Sequence, residues 1–294
     1  MQKGSFEMMK KRNQQVILRV IYDEKTISRA KIAEITGLSP ATVTNNVREL
    51  MKMELLQETS RGESRGGRKP VLLELNPDGA YFIGFEWGIS EVSAVLLDLN
   101  KNVIKAEEIP VEDVKIDWFV NTTDRVTTNF KEIINDTDKL YGVGIGIHGL
   151  VDPFEGVSLF APHFHWCNLH VEDILIEHLC FPVMIDNDVR TMAQAEKWND
   201  KDNFVFVNTG SGIGAAVVLD GKVQLGRDYS AGEFGHMTIV EDGPRCSCGN
   251  YGCLEALIST EHIVEEYSKG TDWRTLVGDA KMGNKKANNI LNIT

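Results

Sequence analysis

Along the first 80 residues, hydrophobic and polar positions follow helical spacing and predict a helix-turn-helix. Residues 8–22 place apolar side chains at intervals typical of a helix. A second, short helix is predicted between the capping residue Ser28 and Gly37, which suits the left-handed residue that ends a helix. Ser39-Pro40 then begins a third helix, because an N-cap serine followed by proline favours helix initiation. Its inner face is apolar, with Val43, Val47 and Leu50 at successive turns.

The outer face of this third helix carries the candidate base-reading residues Thr42, Thr44, Asn45 and Arg48. Two strands follow at 55–58 and 71–75, and the loop between them is rich in glycine and carries four cations. This combination predicts a winged helix whose Arg65, Arg68 and Lys69 engage the minor groove or phosphates. The alternative is an amphipathic helical hairpin followed by a solvated basic loop.

From Tyr81 onward the pattern changes to strands interspersed with helices, which predicts an α/β domain. Ligands of such domains gather at the carboxyl ends of strands. Strands are predicted at 81–87, 91–99, 102–110, 140–147, 182–185 and 204–209, and helices at about 117–135 and 189–198.

Two segments in this part offer a choice of interpretations. The loop Thr209–Gly214 could cradle a phosphate with backbone N–H groups, or it could be a tight hairpin. Asp186–Asp188, at a strand end, could hold a polyol through carboxylate and amide groups, or could cap the following helix.

The strongest chemical signal is a histidine followed by three closely spaced cysteines. His236, Cys246, Cys248 and Cys253 form a Cys₃His set suited to tetrahedral zinc. Four protein ligands close the coordination sphere, so the site is expected to be structural. Three unligated cysteines in a loop are the alternative.

Composition refines this picture through the distribution of charge. The 294 residues carry a net charge of -12, but residues 1–80 are basic (+4) and residues 81–294 are acidic (-16). A basic module joined to an acidic one fits a DNA reader attached to a sensor. The composition excludes collagenous and wholly disordered classes, and no apolar run spans a bilayer. The beginning of the sequence lacks a secretory signal, so we expect a cytoplasmic protein.

These residues together resemble the ROK family (repressors, open reading frames and kinases), in its xylose-repressor and N-acetylglucosamine-repressor branch. The resemblance rests on the winged helix with Ser64–Pro70, on Ala231–His236 and on the cysteine run 246–255. It implies a winged helix-turn-helix followed by an actin-like, sugar-kinase-like two-lobed α/β domain, with sugar bound between the lobes. By resemblance, zinc is bound by His236, Cys246, Cys248 and Cys253, and sugar by Asn187, Asp188, Glu233, His236 and Glu255.

The chain also departs from the pattern of the family's kinases. Their phosphate loop, Asp-x-Gly-Gly-Thr, is replaced by Glu86–Ser90, where the bulk of Trp87 and Ile89 is expected to obstruct phosphate. Asp188 stands at the kinase general-base position, so the resemblance leaves it a sugar contact without catalysis. Near the expected sugar pocket, His148 replaces a usual proline and His163 a usual asparagine.

The leading hypothesis is a sugar-responsive repressor of a carbohydrate-utilisation operon, of the xylose type, that binds a palindromic operator as a homodimer and has no enzymatic activity. Its domains are predicted at 1–78 (winged helix-turn-helix) and 79–294 (ROK sugar-binding domain). Because family repressors continue for about another hundred residues, by resemblance, we expect the second domain to lack its C-terminal part. The alternatives are an ATP-dependent ROK sugar kinase and a non-functional truncated regulator.

Overall fold

The computed structural model describes residues 2–61, 71–134, 136–196 and 202–291. All three predicted DNA-contacting residues of the wing, Arg65, Arg68 and Lys69, lie outside the described residues. The chain divides into two compact units. The first comprises Met1–Phe85, Ser93–Ile109 and Asn121–Gly144, and the second comprises Glu86–Val92, Pro110–Val120 and Ile145–Thr294.

The N-terminal part of the first unit is a small helical domain with a three-stranded sheet of order β1-β3-β2. Its elements are α1 (Gln2–Glu24), β1 (Ile27–Ser28), α2 (Arg29–Thr36), α3 (Pro40–Lys52), β2 (Leu56–Arg61) and β3 (Val71–Leu75).

The two short helices begin and end where the capping residues indicate. Ser28 Oγ accepts a hydrogen bond from the backbone N–H of Lys31, and Gly37 ends α2 with φ of 68°. Ser39 Oγ accepts from the backbone N–H of Thr42 at 3.1 Å, which satisfies one of the free donors of α3. Local side-chain chemistry therefore fixes the turn between α2 and α3.

The core of this domain is aliphatic and comes from every one of its elements. The predicted inner face of α3 is buried, with Val43 and Val47 fully enclosed. They pack in one cluster with Ile17 and Ile21 of α1 and Leu73 of β3. Burial of these side chains holds α3 against the rest of the domain and leaves its opposite face outward.

The rest of the chain is a mixed α/β structure, as predicted. Its elements are β4 (Tyr81–Trp87), β5 (Glu91–Asp98), β6 (Val103–Pro110), α4 (Ile116–Lys131), β7 (Leu140–Ile147), β8 (Leu150–Asp152), β9 (Val157–Ala161), β10 (Trp166–Leu169), α5 (Val171–Leu179), β11 (Val183–Asn187), α6 (Asp188–Glu196), β12 (Phe204–Thr209), β13 (Ile213–Leu219), β14 (Lys222–Val223), α7 (Glu255–Ile258), α8 (Thr260–Tyr267), α9 (Trp273–Lys281) and α10 (Lys285–Leu291). They form a five-stranded sheet of order β11-β7-β4-β5-β6 and two three-stranded sheets, β10-β9-β8 and β12-β13-β14.

An aromatic cluster forms part of the second unit's core. Phe119 of α4 lies 5.1 Å from Trp87 and 5.0 Å from Phe164, measured between ring centroids. Trp166 closes the cluster, and its indole N–H donates to the carbonyl of Val114 at 3.0 Å. Trp87 is fully buried here, with its side chain in the core, so our expectation that its bulk obstructs phosphate is wrong for this residue.

The ends of two neighbouring strands deliver the polar residues of the site. β7 is followed directly by His148 and β11 by Asp188, the first residue of α6. The two side chains approach to 4.0 Å, because the strands are neighbours in the sheet and end at the same edge. Among the described residues, no helix is both long and apolar enough to cross a membrane.

Removing the N-cap of α3 tests whether local capping fixes the turn. We expect Ser39→Ala to destabilise the helix by about 1 kcal/mol, because the N–H of Thr42 loses its acceptor. Amide hydrogen exchange of residues 40–52 in the full chain should then be about fivefold faster. Ser39→Asp, which keeps a capping oxygen, is the control, and equal exchange in both variants would contradict this account.

Candidate functional site

The outer face of α3 places the four predicted base-reading residues unequally. Asn45 and Arg48 are exposed and lie next to each other, with Arg48 Nη1 3.4 Å from Asn45 Oδ1. Thr42 and Thr44 are half-buried, and their hydroxyls contact Ser39 Oγ and the carbonyl of Pro40. Asn45 and Arg48 therefore have the greater freedom to contact another molecule.

Two further residues missed in the sequence analysis lie beside this face, one on α3 and one on α1. Lys52 and Asn13 line the same surface groove as Asn45 and Arg48. Lys52 stands one helical turn after Arg48, so the spacing of α3 could have identified it. Lys10 lies in the groove as well, but it is paired with Glu49 at 2.6 Å.

The hairpin that carries the predicted wing is present up to the edge of the described residues. β2 and β3 are antiparallel, from Leu56 opposite Leu75 to Arg61 opposite Val71. This pairing confirms the two strands predicted around the loop.

The predicted zinc ligands converge in the second unit. One ligand atom from each of His236, Cys246, Cys248 and Cys253 lies within 4.8 Å of every other. His236 Nδ1 is 3.5 Å from Cys246 Sγ, and Cys248 Sγ is 3.8 Å from Cys253 Sγ. Tetrahedral zinc with bonds of about 2.3 Å to sulfur and 2.0 Å to nitrogen sets these separations at about 3.5 and 3.8 Å. The residues present therefore fit zinc.

The local backbone explains how the ligands converge. Gly249 adopts φ of 93°, and the N–H of Cys246 donates to the carbonyl of Asn250 at 2.8 Å, which turns the chain back on itself. Gly252 also has positive φ, and a Cβ at this position would collide with the carbonyl of Val240. Burial raises the pKa of the Cys253 thiol to about 12, so a cation is needed there to favour the thiolate.

Glu255 connects the cysteine loop to the turn between β12 and β13. Its Oε1 accepts from Ser247 Oγ at 3.1 Å, and its Oε2 accepts from the backbone N–H of Ile213 at 3.0 Å. Gly212 stands close enough that a Cβ would lie 3.0 Å from Oε2. Glu255 thus braces the site as well as lining it.

All five predicted sugar-binding residues line one cleft of the second unit. These residues are Asn187, Asp188, Glu233, His236 and Glu255, and the cleft also exposes Glu86, His148, Asn208 and Ser211. His236 directs Nδ1 toward the cysteines, while its Nε2 lies 3.7 Å from Glu233 Oε2. One imidazole thus joins the cluster of three cysteines to the cleft.

Asn187 and Asp188 combine the two roles considered for their segment. Asn187 Oδ1 accepts from the N–H of Arg190 and so caps α6, while its Nδ2 donates to the carbonyl of Gly149 at 3.0 Å. Asp188 Oδ1 accepts from the N–H of Val189, and Oδ2 lies on the cleft side, 4.0 Å from His148 Nδ1. The segment is both a helix cap and a set of polar groups in the cleft.

Arg190 is a buried brace for this segment that the sequence analysis missed. Its Nη2 contacts Asp186 Oδ1 and the carbonyl of Val151, both at 2.6 Å, and Nη1 reaches the carbonyl of Tyr229 at 3.3 Å. Asp186 lies at the end of β11 and Arg190 in α6, and the two carbonyls are 39 residues away, so no local spacing rule signals this brace.

Burial and neighbouring charges shift the pKa values of the titratable side chains that line the cleft. Burial, followed by the charges of Glu86 and Glu233, raises the pKa of Asp188 to about 6. Burial also raises the pKa of Glu233 and of Glu86. Burial and the neighbouring His163 lower the pKa of His148 to about 4, so this ring is neutral at pH 7.

In each of the two segments compared with phosphate loops, part of the backbone donors is engaged within the protein. The N–H of Gly88 donates to the carbonyl of Glu91 at 3.0 Å. At the turn 209–213, the N–H of Gly210 donates to the carbonyl of Gly212 at 2.9 Å, and that of Ile213 to Glu255. The hairpin interpretation of that turn is therefore confirmed by the antiparallel pairing of β12 and β13.

Comparison with known proteins finds two family models that match successive parts of the chain. A winged helix-turn-helix DNA-binding model matches residues 11–57, and the ROK family model matches residues 82–294. The molecule is thus a DNA-binding module joined to a domain of the sugar-kinase fold. The chain belongs to the ROK family.

Its relatives include both repressors and kinases. It is 32% identical to the xylose repressor of Caldicellulosiruptor bescii, over 90% of this chain and 68% of the relative. It is 28% identical to the N-acetylglucosamine repressor of Escherichia coli O6:H1, over 88% and 65%. A ROK transcriptional regulator, a homologue of the E. coli MLC protein, superposes with a TM-score of 0.79 at 28% identity, covering 96% of this chain and 76% of that one. A ROK glucokinase from Streptomyces griseus shares the fold, at a TM-score of 0.64 and 22% identity, over 72% and 74%.

Removing one thiolate tests the metal centre. We expect the purified wild-type chain to hold about one zinc ion, and Cys248→Ala to hold less than a tenth of that, because three ligands remain of four. Elemental analysis after exhaustive dialysis measures this ratio. Cys167→Ala, which removes an exposed cysteine outside the cluster, should retain the zinc. Full zinc content in Cys248→Ala would contradict the ligand set.

Proposed function

We propose that this chain is a cytoplasmic, homodimeric transcriptional repressor in which operator DNA and a neutral sugar oppose each other. Asn45 and Arg48 of α3 read bases, assisted by Thr42 and Thr44, while Arg65, Arg68 and Lys69 contact the minor groove or phosphates. The sugar occupies the cleft formed by Asn187, Asp188, Glu233, His236 and Glu255. Supporting this proposal are the exposed polar face of α3, the polar cleft and the relatives named as repressors.

The charge of the cleft supports an uncharged sugar. Glu86, Asp188, Glu233 and Glu255 all line it, and the described lining residues include no lysine or arginine. The two negative charges of a phosphate ester would meet carboxylates without a compensating cation. Hydroxyl groups, in contrast, can donate to carboxylates and exchange hydrogen bonds with imidazole and amide groups.

The cleft gives less support to the kinase alternative. Phosphoryl transfer depends on donors that hold the nucleotide phosphates. The N–H groups of Gly88 and Gly210 are already hydrogen-bonded within their own turns. We therefore assign Asp188 to sugar binding and no residue to catalysis.

The zinc ion is proposed to be structural. When bound by His236, Cys246, Cys248 and Cys253, it supplies the positive charge that holds three thiolates and one imidazole together. The fixed loop then presents His236 and Glu255 to the cleft.

The DNA-reading role is tested with the variant Arg48→Ala. A preferred duplex is first selected from a random DNA library with the wild-type chain. The affinity of each variant for this duplex is then measured by fluorescence anisotropy. We expect a loss of about 5- to 150-fold, because a bidentate arginine–base pair contributes about 1–3 kcal/mol. Lys52→Ala should weaken binding evenly across sequences and lower the salt slope by about one.

The matched control for these variants is Arg274→Ala, which removes an exposed cation from the second unit and changes net charge equally. It should bind the selected duplex within twofold of the wild type. If Arg48→Ala behaves like this control, α3 does not read the DNA through Arg48.

The sugar response is tested by thermal shift with xylose, glucose, N-acetylglucosamine and their phosphate esters. We expect one neutral sugar to raise the melting temperature, by an amount equivalent to about 2.7 kcal/mol at a hundred times its Kd. The same sugar should lower affinity for the selected duplex by about 5- to 150-fold. The phosphate esters should do neither, because of the acidic lining.

Two outcomes would overturn this proposal. Stabilisation by a phosphate ester alone would refute the neutral ligand. Sugar-dependent release of ADP from ATP, in a coupled assay with the same panel, would establish the kinase instead.

A further inference from the structure

His148 stands in the cleft with unused hydrogen-bonding capacity. It follows β7 directly, lines the cleft, and has a side chain about one-fifth exposed (21%). Within the described residues, no hydrogen bond reaches either of its ring nitrogens. The nearest acidic atom to Nδ1 is Asp188 Oδ2, at 4.0 Å.

Asp188 faces His148 with its own unused oxygen. Oδ1 accepts from Asn187 Nδ2 and from the backbone N–H of Val189, both at 2.8 Å. In the described part of the chain, Oδ2 accepts no hydrogen bond. The separation of 4.0 Å is too long for a direct hydrogen bond between Oδ2 and Nδ1. Both atoms therefore remain available to a ligand.

One hydroxyl group fits between these two atoms. An oxygen about 2.8 Å from each would see them at an angle of about 90°, which a hydroxyl can satisfy with one donor and one acceptor direction. We infer that His148 Nδ1 and Asp188 Oδ2 form a hydroxyl clamp for the ligand: the ligand hydroxyl donates to Asp188 and accepts from the N–H of His148. This inference rests on the proposed function, since it takes the ligand to be a sugar.

The surroundings of His148 support the donor role. Its ring lies 4.9 Å from that of His163 and 6.3 Å from that of Phe164, between centroids, so it is held in place on one side. Burial and His163 keep it neutral, and the charges of His236 and Glu255 act on it in opposite directions. A neutral imidazole has one N–H. When this hydrogen is on Nδ1, it can be donated to a lone pair of the ligand's hydroxyl oxygen.

The clamp makes His148 a specificity-determining residue. It requires a free hydroxyl at one position of the sugar, because a methylated or phosphorylated oxygen there cannot donate to Asp188. It also separates a sugar from its deoxy analogue, since both clamp atoms would be desolvated without a partner.

The test is a double-mutant cycle between protein and ligand in the full chain. The probe is whichever of xylose, glucose and N-acetylglucosamine gives the largest thermal shift, together with its monodeoxy derivatives, and Kd is measured by calorimetry. We expect His148→Leu to bind the parent sugar about tenfold more weakly. For one monodeoxy derivative, the wild-type chain should show affinity about tenfold lower than for the parent sugar. His148→Leu should bind that derivative no more weakly than the wild-type chain does. This cancellation would not occur if His148 acted only through packing.

His148→Asn, whose side-chain amide can place an N–H near the position of Nδ1, should restore affinity to within threefold. His170→Gln, which changes an exposed histidine outside the cleft, should leave Kd unchanged. If His148→Leu does not melt cooperatively, His148→Ala takes its place in the cycle.

Equal affinity of His148→Leu and wild type, or an equal loss for the parent and every derivative, would overturn the clamp and leave the proposed sugar response intact. If no sugar in the panel binds the wild-type chain, the proposed function fails, and the clamp fails with it.

Discussion

The requirement that three sulfur atoms and one ring nitrogen meet within 4.8 Å governs the arrangement of the second unit's site. The ligands come from two segments, around 236 and from 246 to 253, and drawing them together closes the intervening loop. Because His236 belongs to this cluster and Glu255 follows the last cysteine by two residues, this closure brings both residues to the cleft. Glu255 then holds the β12–β13 turn through the N–H of Ile213. A structural metal bound by these four residues would thus order the cleft without itself contacting a molecule bound there.

The cleft concentrates carboxylates that burial makes unfavourable as anions. Asp188, Glu86 and Glu233 all have raised pKa values for that reason, and no described lining residue is a lysine or arginine. The guanidinium group of Arg190 forms an ion pair with Asp186 and donates hydrogen bonds to two backbone carbonyls. Hydroxyl groups can satisfy such a lining, whereas phosphate cannot. A ROK glucokinase shares this fold, so the fold alone does not decide between binding and phosphoryl transfer.

Much of the fold could be predicted from local signals. The caps Ser28, Gly37 and Ser39 located α2 and α3 because a side-chain oxygen or a left-handed glycine acts within a few residues. The strands β8 to β10 were not predicted, since each is short and lacks a clear alternation. Arg190 was missed because its partners on β8 and at Tyr229 are 39 residues away. The sequence did not show on which face of β4 Trp87 lies. The expectation that its bulk obstructs phosphate was therefore wrong, because the side chain is buried in the core.

The sequence by itself determined the winged helix-turn-helix, the histidine and three cysteines that could hold a metal ion, and the membership of the ROK family. These features depend on residue type and short spacing, which a chain carries whether or not it is folded. Only the tertiary structure decided which polar atoms remain free. It placed the N–H of Ile213 on Glu255 Oε2, 42 residues away in sequence, and left His148 Nδ1 facing Asp188 Oδ2 across 4.0 Å. The physical reason is that hydrogen bonds form between groups distant in sequence, so their spare capacity appears only when the strand ends meet.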